Sequence, residues 1–118
     1  MKAKLKFKGK EIVIEDIKKV SRLGKLAGLM FKKESPALLF EFGSLGSYGI
    51  HSYFCKPFLA IWLKENKIVE YRFVAPNSIV RPEKEFDQLI EIPFNDRYKE
   101  IFNFFLEREV WDRIKPYL

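Results

Sequence analysis

The sequence predicts an α+β, mainly β fold: a small antiparallel β barrel or sandwich with one short helix in its N-terminal half and a long C-terminal helix. Three observations predict it. Short apolar or alternating runs recur between turn signals, as in Leu5–Phe7, Ala37–Phe42, Phe58–Leu63 and Lys67–Val74. Gly and Pro interrupt the apolar middle of the chain at Gly43, Gly46, Gly49 and Pro57. The broadest apolar stripe at helical spacing lies near the C-terminus, between Tyr98 and Ile114.

In chain order, Lys2, Lys4, Lys6 and Lys8 alternate with Ala3, Leu5 and Phe7, the period of a half-buried strand with its lysines on one face. Gly9-Lys10 turns the chain and Glu11–Ile14 returns. Asp16 is placed to cap a helix from Ile17, in which Ile17, Val20, Gly24, Ala27 and Gly28 share a face. Lys32–Pro36 connects to a strand at Ala37–Phe42, followed by a turn at Gly43–Gly46 and a segment at Tyr48–Phe54. Pro57 precedes Phe58–Leu63, whose density of large apolar residues marks a central strand. Glu65-Asn66 closes a hairpin onto Lys67–Val74, with Ile68, Glu70 and Arg72 on one face and Val69, Tyr71 and Phe73 on the other. A Pro-marked loop, Ala75–Glu85, leads to a last strand at Gln88–Ile92 that ends at Pro93. Asn95 or Asp96 caps the terminal helix, which runs to about Ile114 ahead of Pro116.

With 118 residues and no break in composition, the chain predicts a single domain, 1–118. At 47% apolar residues, twelve of them Phe, it can fill a core without metal or disulfide support. The lone cysteine excludes an internal disulfide. No run reaches the roughly 18 apolar residues of a membrane span, and the N-terminus lacks the apolar segment of a secretory signal. The expectation is a cytoplasmic protein. Abundant Lys, Glu and Ile with no Thr resemble a heat-adapted composition.

The net charge of +6 is concentrated: Met1–Lys33 carries eleven Lys/Arg against three acids. Such a basic third can meet nucleic acid or another anionic partner, with Lys4 and Lys6 among the contacts. It can equally be an edge strand whose lysines discourage pairing with other chains. The terminal helix stripe is broad enough to support a homodimer.

Three further residues are candidates for chemistry. Glu41 is an acid within an apolar strand; facing inward it becomes a general acid, facing outward an ordinary surface group. His51, the single histidine, and Arg81, in the Pro-marked loop, are candidate ligand contacts. His51 and Cys55 share a strand face but lie roughly 13 Å apart along it, too far to act together. A zinc site would need two carboxylates from elsewhere, so no metal and no cofactor is expected. Phosphate loops, dinucleotide fingerprints and nucleophile elbows do not occur. The leading expectation is a non-catalytic ligand-binding or accessory domain. The alternatives are an anion- or nucleic-acid-binding protein and a small hydrolase-like enzyme using Glu41 and His51.

The succession of Gly28–Phe31 (GLMF), Leu38–Phe42 (LLFEF), Ile50–Leu63 (IHSYFCKPFLAIWL), Ile68-Val69-Glu70, Arg81-Pro82 and Leu89–Ile92 resembles the domain-of-unknown-function 192 family, also called uncharacterised protein family 0127. The resemblance covers about residues 1–94 and is of a divergent, archaeal type. It departs where the family keeps Pro-apolar-Asp, since this chain has Pro57, Phe58 and Leu59, and again where Asn95–Ile114 replaces a terminal turn and strand. What the resemblance implies is a compact, mainly antiparallel β barrel or sandwich; it implies no activity.

Overall fold

The structure is a computed structural model that describes residues 1–20, 36–46, 50–51, 57–75, 79–105 and 112. Its strands are β1 (Ala3–Phe7), β2 (Lys10–Ile14), β3 (Lys18–Lys19), β4 (Leu38–Gly46), β5 (Ile50–His51), β6 (Phe58–Lys64), β7 (Lys67–Val74), β8 (Ile79–Val80) and β9 (Phe86–Pro93). A 3-10 turn, Asp96–Tyr98, opens helix α1 (Lys99–Phe105). The mainly β, α+β character is therefore as the sequence predicts.

The strands do not close into a barrel. The largest sheet has the order β3-β4-β9-β6-β7, and β1-β2 and β5-β8 form separate two-stranded sheets. All pairings are antiparallel except that of β3 with β4. The large sheet is open at both edges of this order because β3 and β7 do not pair with each other.

The helix expected from Ile17 does not begin there. Ile17 to Val20 runs extended, with Lys18 N–H donating to Ala37 O at 2.8 Å and Val20 N–H to Leu39 O at 2.9 Å. Asp16 holds φ +54° rather than the extended conformation of a helix cap. Ladder bonds to β4 outweigh the weak helical periodicity of this stretch, whose remaining residues, 21–35, lie outside those described. The turn expected at Gly43–Gly46 is also absent. β4 continues to Gly46, and the glycines absorb a register irregularity against β9 between Glu41 and Gly46.

Two hairpins form where their turn residues predict. Lys8 and Gly9 both have positive φ, as do Glu65 and Asn66, the geometry that matches the twist of paired strands. Glu65 is a costly residue for that conformation. Its N–H donates to Asp87 Oδ2 at 3.1 Å, which helps hold the turn against the end of β9.

The large sheet has two apolar faces. On the first, Leu39, Leu59, Ile61, Leu63, Ile90 and Ile92 are buried against Leu5, Ile12 and Ile14 of the β1–β2 hairpin and Ile101, Phe102 and Phe105 of α1. Aromatic pairs bind these parts: Phe7 meets Tyr71 edge-on at 5.1 Å, and Phe94 meets Phe102 at 4.2 Å. On the second face lie Leu38, Phe40, Phe58, Ala60, Trp62, Val74, Phe86 and Leu89. β6 alternates between the two faces along its length and is buried on both, as its composition predicts.

β7 alternates less simply. The register slips between Trp62 and Leu63, so that Trp62 opposes Glu70 while Leu63 opposes Ile68. Val69 is the extra residue of a bulge, and Ile68 joins Tyr71 and Phe73 on the first face, whereas uninterrupted alternation would place it opposite them. Glu70 and Arg72 remain on the second face.

Asn95 caps the terminal helical segment as expected, its Oδ1 accepting from Arg97 N–H at 3.1 Å. The described helix ends at Phe105, and Asp112 is again helical; the other residues to Ile114 lie outside those described. Tyr98, buried, ties this segment down. Its hydroxyl accepts from Ala37 N–H at 2.6 Å and lies 3.2 Å from both Glu15 O and Asp16 O, to which it donates.

Candidate ligand site on the second face

Two neighbouring rows of side chains cross the second face. The strand registers align Leu38 of β4, Glu91 of β9, Ala60 of β6 and Arg72 of β7 in one row. Phe40, Leu89, Trp62 and Glu70 make the next. Directly opposed residues of an antiparallel pair point to the same side, so Glu91 shares its side with Ala60 and stands diagonal to Trp62.

Among the described residues Glu91 is the buried charged residue of the sheet, 7% exposed, with Leu38 and Ala60 as its lateral neighbours. Burial alone pushes its carboxyl up to about 8, so that near neutral pH it is mainly the uncharged acid. An uncharged carboxyl carries an O–H donor, which an ionised one lacks.

Trp62 is fully buried, and its Nε1–H has no hydrogen-bond partner. An unmet donor in an apolar interior costs about 1–3 kcal/mol, which makes such a group a feature in need of a reason. Between Phe58 and Trp62 on the same strand face, Ala60 is the small residue. The face thus combines large aromatic walls, one short side chain and two polar groups on adjacent strands.

The charges nearest these rows are already engaged. Arg72 Nη2 donates to Glu70 Oε2 at 2.7 Å, and the other oxygen of Glu70 accepts from Glu83 N–H at 3.0 Å.

The residues singled out from sequence fall elsewhere. Glu41 faces outward and forms an ion pair with Lys19 at 3.0 Å, with both side chains largely exposed. His51 lies in β5 opposite Ile79, and Arg81, exposed, directly follows β8; the two therefore belong to one ribbon. Glu41 belongs to a different sheet. Lys4 and Lys6 are exposed on β1, as the alternation predicts, but they oppose Val13 and Glu11. Glu11 interrupts the basic stripe that phosphate binding would use. Cys55 lies outside the described residues. Among those described, no group of three His, Cys, Asp or Glu side chains could hold a metal ion.

A cleft of about 580 Å³ lies between the β2–β3 link and the start of α1, where Glu15, Asp16, Asp96, Arg97, Lys99 and Glu100 surround Tyr98. These six charged residues are exposed, four acids (Glu15, Asp16, Asp96, Glu100) against two bases (Arg97, Lys99), so the cleft is a solvated surface with an acidic excess.

Sequence reasoning passed over Glu91 and Trp62. A signal for Glu91 was present in Ile90-Glu91-Ile92, an acid between two apolar β-branched residues, the same pattern that drew attention to Phe40-Glu41-Phe42. The orphan indole has no sequence signal, because it depends on what surrounds the ring.

No protein-family model matches the chain, and neither does any curated protein. Solved structures do share its fold. One, from Sinorhizobium meliloti and described as a "putative transcription regulator", has a TM-score of 0.68 at 15% identity, covering 85% of this chain and 83% of that one. Another, a protein of unknown function from Novosphingobium aromaticivorans, has a TM-score of 0.66 at 11% identity, covering 83% of this chain and 75% of that one. At such identities the likeness is one of fold.

Proposed function

We propose that this chain is a non-catalytic ligand-binding domain, and that its ligand sits on the second face of the large sheet over Ala60, between Glu91 and Trp62. The observation that carries this reading is the fully buried Trp62 Nε1–H, which has no hydrogen-bond partner and shares its face with the buried carboxyl of Glu91 on the adjacent strand. An unmet donor beside a buried carboxyl is the kind of polar anchor that apolar ligand sites use to orient their occupants.

Binding rather than catalysis is favoured because a hydrolytic centre needs an acid, a base and a nucleophile in reach of one another. Glu41 is committed to Lys19 at the surface, and Glu91 has Leu38 and Ala60 beside it. The resemblance to the domain-of-unknown-function 192 family adds no substrate. The position where that family keeps an acid is Leu59 here, buried in the first face.

The test is thermal unfolding of the wild type and of Ala60→Leu with a set of small aromatic fragments. A ligand that binds only the native state raises the melting temperature. Fragments that stabilise the wild type and not Ala60→Leu support the reading. The substitution itself distinguishes room from tight packing: in a filled face the added bulk costs about 1–3 kcal/mol. A strongly destabilised variant together with no stabilising fragment would overturn the proposal.

A further inference from the structure

We infer that the outer edge of β7 pairs with the same strand of a second copy of this chain, antiparallel and centred on Tyr71, to form a weak homodimer.

The two edges of the large sheet are finished differently. β3 is two residues long and both are lysines, a short edge of one charge that repels an added strand. β7 is eight residues long, and among the described residues no backbone group bonds to its outer side. The hairpin sets which of its residues point outward. A two-residue turn leaves Lys64 and Lys67 bonded to each other, and bonded and non-bonded pairs alternate along β6 from there. Ala60–Arg72 is accordingly a bonded pair, and Ile61–Tyr71 and Leu59–Phe73 are not. Tyr71 and Phe73 therefore direct their N–H and C=O groups away from β6. The bulge at Val69 interrupts the edge at one end and leaves Glu70–Val74 as its regular part.

Charge selects the occupant and the register. Centred on Tyr71, a strand meeting its own copy sets Glu70 opposite the partner's Arg72 and Arg72 opposite the partner's Glu70. The two central tyrosines exchange backbone bonds, and the flanking charged residues fall in the closer, non-bonded positions, where opposite charges attract. Moving the centre to Arg72 would oppose two arginines, and moving it to Phe73 would set Arg72 against Val74. The Arg72 side chain is 42% exposed and already bonds Glu70 of its own strand at 2.7 Å, so the joined strands carry a row of alternating charges. A contact built on so short a segment falls below the roughly 1,200 Å² of stable complexes, which makes the dimer a transient one.

The test is sedimentation velocity on the full chain. The wild type is expected to be monomeric at about 5 μM and to show dimer at about 500 μM. Glu70→Arg alone opposes bases and Arg72→Glu alone opposes acids, so each should weaken association at least about ten-fold. An equimolar mixture of the two variants restores opposite charges at both positions and should recover association to within about three-fold of the wild type, as heterodimers. Amide exchange of the wild type should slow at Tyr71 between the two concentrations and stay constant at Arg72, whose N–H already bonds β6.

A wild type that stays monomeric at the higher concentration overturns the proposal. So does association that both single variants retain, or that their mixture fails to recover. Melting curves establish first that the variants are folded; if either is not, the exchange of Tyr71 in the wild type decides, and an unchanged rate there sinks the pairing.

Discussion

The two faces of the large sheet are built from the same strands and differ in how completely they are satisfied. The first face is closed by the β1–β2 hairpin and α1, and every side chain of the sheet in its buried cluster is apolar. Even its one polar anchor, the Tyr98 hydroxyl, bonds three backbone groups. The second face holds an uncharged carboxyl in an apolar row and an indole N–H with nothing to bond. The first arrangement leaves its polar anchor fully bonded, whereas the second gives up stability at the indole N–H.

The largest effect that would sharpen this contrast is truncation on the first face. Phe102→Ala removes a ring stacked on Phe94 and should cost about 3–5 kcal/mol in denaturant unfolding. A loss below about 1 kcal/mol would mean that α1 contributes little to the closure of that face.

Glu91 supplies a pH signature. Its carboxyl titrates near 4.5 in the unfolded chain and near 8 in the folded one. Between those values the folded state holds one more proton, so stability falls as pH rises, by up to about 1.4 kcal/mol per pH unit. Below this window both states are protonated, and above it both are ionised with the burial penalty fully expressed. Glu91→Gln should remove this slope; an unchanged slope in the variant would assign the effect to another group.

Tyr98→Phe should cost about 1–3 kcal/mol, because it leaves Ala37 N–H without its acceptor in a buried setting. The variant's hydrogen exchange should quicken most at Ala37, and uniform protection there would count against the link. Trp62→Phe should be far milder than Phe102→Ala, since loss of the orphan donor returns about 1–3 kcal/mol against the volume removed. A drop as large as that of Phe102→Ala would show that Nε1 has a partner in solution. Glu41→Gln should be smallest, within about 1 kcal/mol, because its partner Lys19 is exposed. A larger loss would mean that the outer strand depends on that pair.

Much of the sheet was legible from pattern alone. Alternation located β1 and β7, unbroken apolar character located β6, and Gly9, Asn66 and Asn95 marked two turns and a cap. What pattern could not supply was adjacency. Ile17 and Val20 suit a helix face, yet the backbone of Lys18 and Lys19 is claimed by β4, a long-range pairing with no local sign. Val69 reads as an ordinary strand residue because a bulge is defined by the partner strand. Glu41 and Glu91 sit in nearly identical local contexts, and their fates diverge because Glu91 is paired on both sides, with Leu38 and Ala60, while Glu41 lies past the end of the two-residue strand β3 and reaches Lys19 at the surface. For that reason the candidate site was largely hidden: one of its residues had a sequence signal equal to a competitor's, and the other had none.

The place of β9 has a consequence for how the molecule is made. It is the last of the described strands and the middle one of the sheet, and β4 and β6 meet only through it. A ribosome that has released everything through Glu85 has produced β4 and the β6–β7 hairpin with the edges destined for β9 still open. Those edges are rich in Leu, Ile and Phe, the kind of surface on which nascent chains associate with one another. Synthesis of the eight residues Phe86–Pro93 joins the two halves and closes both edges together. Closure of this sheet is thus deferred until β9 emerges, and aggregation during expression should depend more on the speed of that step than on the stability of the finished sheet.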